Sequence, residues 1–222
     1  MSAIVGVVFT GDSLTFAGIS YAYQWAGVDG ATLYSESDVP RAGFRAYPAA
    51  GVIMANWGLS GWTIANLETQ AAALDALICN GCPGGGGRPL RKYVLVVRIG
   101  TNPASSDPVA TAARVRTYCL ARQAAGWNVI ICPLTSRNDN TIANFDTSYA
   151  QPYNAIIAGW GASDGVAGVV SSADSVMYGT SAATNQTTYF NADKIHPLVA
   201  GHTRLKNDLA AVLNPLIEEL QA

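Results

Sequence analysis

The chain has 222 residues, which at ~100–200 residues per domain fits one α/β domain spanning 1–222. Half of the residues are hydrophobic, enough for a sizeable core, and this excludes intrinsic disorder. Only 13% are charged, and Lys+Arg 13 against Asp+Glu 15 leaves a net charge of −2 with no basic block, which argues against a nucleic-acid partner. No apolar run approaches the ~20 residues of a membrane span.

In chain order, residues 4–10 (Ile-Val-Gly-Val-Val-Phe-Thr) are predicted as a first strand ending in Gly11. This N-terminus lacks a basic n-region and a small-residue cleavage site, so no signal peptide is expected. A cytoplasmic or virion-associated protein, or the mature part of a trimmed precursor, is the expectation. Further strands are predicted at 51–57, 93–99, 128–134 and, more weakly, 166–171. Their near-continuous Val and Ile content fits strands buried on both faces, as in a parallel sheet.

Helices are predicted between them. Over 63–78, Ile64, Leu67, Ala71, Leu74 and Leu77 form one apolar stripe. Asp107-Pro108 reads as an N-cap followed by proline at the first helical position, and that helix stops near Gly126. A third helix is predicted over 147–160 and a last one over 197–220, with Leu205, Leu209, Val212, Leu213 and Leu216 on one face. This alternation implies a three-layer α/β/α sandwich around a mostly parallel five-stranded sheet. Two long polar or aromatic stretches, 18–50 and 172–192, are expected to carry function or cover a site.

Four cysteines leave the redox compartment open. Cys79 and Cys82 have a two-residue gap that allows free thiols, a local disulfide or a metal pair, while Cys119 and Cys132 are expected as buried small hydrophobes. The Gly84–Gly87 run follows a helix and precedes a strand, the reverse of a phosphate-binding loop, and reads as a connector. Asn185 begins a glycosylation sequon unsupported by a secretion signal.

In an open parallel sheet, ligands gather outside the carboxyl ends of the strands. The segments found there are Gly11-Asp12-Ser13-Leu14, Asn56-Trp57-Gly58-Leu59-Ser60-Gly61 and Gly100-Thr101-Asn102, with Asp193-Lys194-Ile195-His196-Pro197 just before the last helix. The chain has two histidines, and only His196 has a carboxylate, Asp193, three residues before it. An Asp partner can fix the imidazole tautomer and leave the other ring nitrogen to take a hydroxyl proton. Ser13, on a glycine-led turn at a strand end, is the hydroxyl best placed as nucleophile. Backbone N–H groups of Ser13 and Gly61, with the Asn102 amide, are candidate donors to an oxyanion. Gly58 is the competing glycine, Asp12 reads as a turn former and His202 as a packed or surface helix residue. Trp57 and Trp62 flank the glycine and could be core or a substrate platform. Arg98, in an apolar strand, needs a partner of either structural or site character.

These four blocks resemble, in order and placement, those of the SGNH (GDSL) hydrolases, with Ser13, Gly61, Asn102 and His196 as the name-giving residues and Asp193 completing a triad. The resemblance runs from residue 9 to residue 203. It implies a flavodoxin-like sandwich, ester or thioester hydrolysis through an acyl-serine, and neither metal nor other cofactor. One departure is Pro103, where the family usually has an acidic residue after the asparagine. The Ile99-Gly100-Thr101-Asn102 form looks like that of the family's carbohydrate O-acetylesterases, and aromatic-rich loops suit a sugar. The expected activity is therefore deacetylation of an acylated carbohydrate or a related small-molecule ester. A lipid esterase or acyl-thioesterase is the alternative, as is a non-catalytic carbohydrate-binding or structural module on the same fold.

Overall fold

The computed structural model describes residues 5–16, 23–24, 33–34, 45–47, 52–80, 92–103, 106–138, 143–179 and 187–222. The strands are β1 (Val5–Gly11), β2 (Tyr23–Gln24), β3 (Leu33–Tyr34), β4 (Arg45–Tyr47), β5 (Val52–Asn56), β6 (Lys92–Arg98), β7 (Asn128–Ile131) and β8 (Gly168–Val169). The helices are α1 (Ser13–Phe16), α2 (Ile64–Asn80), α3 (Pro108–Ala124), α4 (Gln151–Ile157), α5 (Ser175–Tyr178) and α6 (Val199–Gln221).

The main sheet runs β4-β5-β1-β6-β7-β8. Its five strands from β5 to β8 are parallel and fall where the Val/Ile runs predict them. Their order, with the first strand between the second and third, is the flavodoxin-like one. The sheet departs from the five-strand expectation by one strand: β4, three residues from the long 18–50 stretch, adds an antiparallel edge against β5. β2 and β3 pair separately as a two-residue antiparallel ribbon.

Period-two alternation sorts the core into two layers. Val8, Leu95, Val97, Val129 and Ile131 face α2, α3 and α4, meeting Leu67, Leu74, Val115, Tyr153 and Ile157. The alternate residues Val7, Phe9, Val94, Val96 and Ile130 face α6 through Leu209, Leu213 and Ile217. Both faces of the central strands are thus covered, which is why these strands read as unbroken apolar runs.

Asp107 caps α3, its Oδ1 accepting from the N–H groups of Val109 and Ala110 at 2.8 and 3.2 Å. The helix predicted at 147–160 begins earlier and differently: Phe145–Ala150 form a π-helical turn that runs into α4. Pro152 lies at this junction, and a proline that cannot donate its N–H accounts for the interrupted α ladder. Of the cysteines, Cys119 and Cys132 are free and buried, with burial pushing the Cys119 thiol up to about 12. Cys79 lies in the last turn of α2, whereas Cys82, Gly84–Gly87 and Asn185 lie outside the described residues. Among the described residues no helix is long and apolar enough to cross a membrane, and no group of three His, Cys, Asp or Glu could hold a metal.

The register decides where the functional segments fall. Gly11 is opposite Arg98, so β1 and β6 end level. The chain leaves β1 through Gly11, where a Cβ would stand 1.9 Å from the Arg98 carbonyl oxygen and 2.4 Å from Thr15 Oγ1. Backbone cannot yield there without parting β1 from β6. Gly11→Ala is expected to cost about 3 kcal/mol or more, read as a lowered urea midpoint; a loss below about 1 kcal/mol would show that the strand end can shift.

Candidate active site

Three strand ends meet behind the first turn of α1. Asp12 Oδ1 accepts from the Leu14 N–H at 3.0 Å, closing the turn that presents Ser13. Beyond β5, the Trp57 N–H donates to the Phe9 carbonyl at 2.7 Å and the Leu59 N–H to the Gly11 carbonyl at 3.1 Å, carrying the glycine-containing loop alongside β1. Asn56 fastens the two: its Nδ2 donates to the Thr15 carbonyl at 2.6 Å and its Oδ1 accepts from the Gly58 N–H at 2.9 Å. The Gly58 N–H is thereby engaged. Gly61, at φ +77°, has open space around its Cα, and its N–H meets no acceptor among the described residues. Asn102, after β6, donates through Nδ2 to the Trp62 carbonyl at 3.3 Å, which holds its amide beside the same loop. Trp57 and Trp62 are half-buried and pack against the core under α2 and α3.

The histidine arrives from the other end of the chain on a loop closed by its own backbone. The Leu198 N–H donates to Tyr189, the Asn191 N–H to His196 and the Lys194 N–H to Asn191, at 2.7, 2.8 and 2.8 Å. Phe190 and Pro197 bridge across its neck. Asp193 Oδ1 accepts from the N–H groups of both Ile195 and His196 at 3.0 Å, an Asx turn that carries Lys194 into the left-handed region at φ 59°.

This turn brings the predicted residues together. His196 Nδ1 lies 2.7 Å from Asp193 Oδ2, and His196 Nε2 lies 2.9 Å from Ser13 Oγ. With the ring proton on Nδ1 donating to the carboxylate, Nε2 is left to accept from the serine hydroxyl. Asp193 is held below the ordinary carboxylate range: its partial burial, which pushes upward, is outweighed by the Ile195 N–H, the His196 ring and the His196 N–H.

Solved structures share this arrangement of elements. The acetylxylan esterase Axe2 from Geobacillus stearothermophilus is 19% identical, with TM-score 0.56 over 93% of this chain and 92% of that one. TesA is 18% identical, with TM-score 0.59 over 95% and 99%, and a GDSL-like lipase candidate from Parabacteroides merdae is 13% identical, with TM-score 0.60 over 96% and 97%. This is the SGNH (GDSL) hydrolase fold. No protein-family model and no curated protein matches the sequence.

Three further residues of this SGNH fold lie close behind the site. Asp12 is more than a turn former. It is fully buried, and burial raises its carboxyl to about 6 against the opposing pull of the Leu14 N–H, the Arg98 charge and Thr101. Arg98 is buried on the α6 side of the sheet; Nη1 donates to the Pro133 carbonyl at 3.2 Å, and its charge acts on Asp12, Cys132, Tyr178 and Asp208. His202 is half-buried, and burial and then the Arg98 and His196 charges lower it to about 4.

Asp12 and His202 titrate against each other. The folded state holds a proton on Asp12 that the unfolded chain releases from 3.8 upward, so stability from Asp12 is present at acid pH and lost as pH rises to about 6. His202 does the opposite, losing stability as pH falls from 6.5 towards about 4. The two largely cancel in the intact protein. Asp12→Asn removes one of them, so the variant should gain about 3 kcal/mol relative to the unsubstituted chain between pH 4 and pH 7, measured as the difference in urea-unfolding free energy. A difference that stays constant across that range would show that Asp12 titrates as an ordinary carboxyl.

Proposed function

We propose that the protein is a serine esterase that removes acetyl groups from a carbohydrate. The observation that carries this is the hydrogen-bonded line Ser13 Oγ, His196 Nε2, His196 Nδ1, Asp193 Oδ2, with contacts of 2.9 and 2.7 Å. Serine is a weak nucleophile until a base takes its proton, and an imidazole at this distance can do so. Ser13 Oγ attacks the acyl carbon while Nε2 receives the hydroxyl proton. Asp193 keeps the ring in the tautomer that can accept, and stabilises the imidazolium that forms. The carbonyl oxygen, gaining negative charge, accepts from the N–H groups of Ser13 and Gly61 and from Asn102 Nδ2. His196 then returns the proton to the departing alcohol oxygen, and a water activated by the same nitrogen releases acetate and restores Ser13.

Three observations favour a carbohydrate alcohol. The third block has the Gly-Thr-Asn form, and the same fold is found in an acetylxylan esterase. A cavity of about 500 Å³ adjoins the histidine turn, with Asn138, Thr187, Phe190, Asn191, Lys194 and Leu198 among its lining residues. Amide and hydroxyl groups among the lining residues suit a sugar, which offers hydroxyls at its edge. The likeness to a GDSL-like lipase candidate favours a second reading, an ester with a longer acyl chain.

Turnover of p-nitrophenyl acetate tests the reaction itself. Ser13→Ala and His196→Ala should each lower kcat by about 10⁴-fold or more, with the melting temperature little changed. Hydrolysis no faster than that of Ser13→Ala would instead favour a binding or structural module. Acetylated xylo-oligosaccharides compared with octanoate esters then decide the substrate, and a preference for octanoate would remove the deacetylase assignment.

A further inference from the structure

The segment after β7 belongs to none of the four sequence blocks, yet it touches two of them. Residues 132–136 are buried. Asn154 on α4 grips the Leu134 peptide from both sides, Oδ1 accepting from its N–H at 2.7 Å and Nδ2 donating to its carbonyl at 2.9 Å. The Asp146 carboxylate, from the π-helical turn, then takes both the Ser136 hydroxyl at 2.7 Å and the Arg137 N–H at 2.8 Å. The Ser136 N–H donates to the Met177 carbonyl at 2.7 Å. So anchored, the segment reaches outward twice. Arg137 Nη1 donates to the Thr101 carbonyl at 2.7 Å, with its guanidinium lying over the Phe145 ring. The Asn138 N–H donates to the Lys194 carbonyl at 3.1 Å.

Thr101 O belongs to the peptide unit that leads into Asn102. Fixing that plane fixes the direction in which the Asn102 side chain departs. The Trp62 carbonyl holds the amide end at 3.3 Å, but the next residue, Pro103, has no N–H to close a turn that would fix the backbone end. A short hydrogen bond from a charged, planar donor is among the stiffer polar contacts available.

We propose that Arg137, seated by Asp146, is a positioning residue that aims the Asn102 amide at the developing oxyanion. Through Asn138 the same segment holds the Lys194 carbonyl and so ties the donor side of the site to the histidine turn. The inference rests on the esterase reading above. It adds to the site a residue that need touch neither substrate nor nucleophile. An oxyanion donor contributes only if it already points at the place where charge will appear; Arg137 supplies that aim for Asn102.

A double-mutant cycle tests this on the full chain with p-nitrophenyl acetate as substrate. Arg137→Met should lower kcat about tenfold to hundredfold, with KM within about twofold, because the aim matters to the charged intermediate more than to the bound ester. Asn102→Ala should lower kcat by about 10²-fold. Beside Asn102→Ala, the Arg137→Met effect should shrink to about twofold or less, since there is no amide left to aim. Full additivity of the two, or an unchanged kcat in folded Arg137→Met, overturns the proposal. If the methionine variant does not fold, Arg137→Lys takes its place in the cycle: a fall in kcat that disappears beside Asn102→Ala supports the proposal, and an unchanged or additive kcat overturns it. A normal kcat in Asn102→Ala alone has a different meaning, because it removes the oxyanion assignment itself and the inference with it.

Discussion

The contact between the Ser13 hydroxyl and the His196 imidazole joins residues 183 apart along the chain at a separation of 2.9 Å. No local propensity can bring that about. It requires β1 to end level with β6, the sheet to be covered on its second face by α6, and the turn that precedes α6 to lie over the carboxyl edge of the strands. The first is set by the register of the backbone ladder and the second by apolar packing, which is strong in sum and indifferent to direction. The last ångström is set by directional bonds in the turn itself. Asp193 illustrates the division of labour, since one carboxylate oxygen shapes the backbone and the other faces the ring.

The parts of this architecture legible in the sequence are those with a period or a signature. Strands buried on both faces announce themselves because every residue, whichever side it faces, must be apolar, as in Val94 to Val97. Asp107-Pro108 marks a helix start because cap and proline act within three residues of each other. Ser13, Asn102, Asp193 and His196 can be picked out because each stands in a short, chemically coherent block. Choosing Gly61 over Gly58 is harder from sequence alone, and the structure separates them through Asn56, which occupies the Gly58 N–H.

What sequence could not disclose depends on partners far along the chain. Arg98 is anomalous in any reading of β6, but the carbonyl of Pro133 and the acids on other elements are invisible until the layers are stacked. The raised Asp12 carboxyl follows from burial, and burial is a property of the assembled fold. The 132–138 segment contains no motif, and Asp146 lies in a turn whose π geometry has no simple periodic signal. The segment is held by hydrogen bonds to elements before and after it. Strand β4 is a further case: three residues from a Tyr- and Gly-rich stretch become a strand because β5 offers an open border.

The two borders of the main sheet are a pair of very short strands, β4 with three residues at one side and β8 with two at the other. An exposed strand is a template on which a neighbouring molecule can add its own backbone, and the strength of such an addition grows with the number of free amides in a row. Here the long, apolar, strongly strand-forming segments are interior, while among the described residues the margins offer only a few peptide groups, one border strand running against its neighbour. Among the described residues, the strongly strand-forming sequences are therefore kept at the centre of the sheet, behind border strands of two and three residues that give a neighbouring molecule few amides in a row.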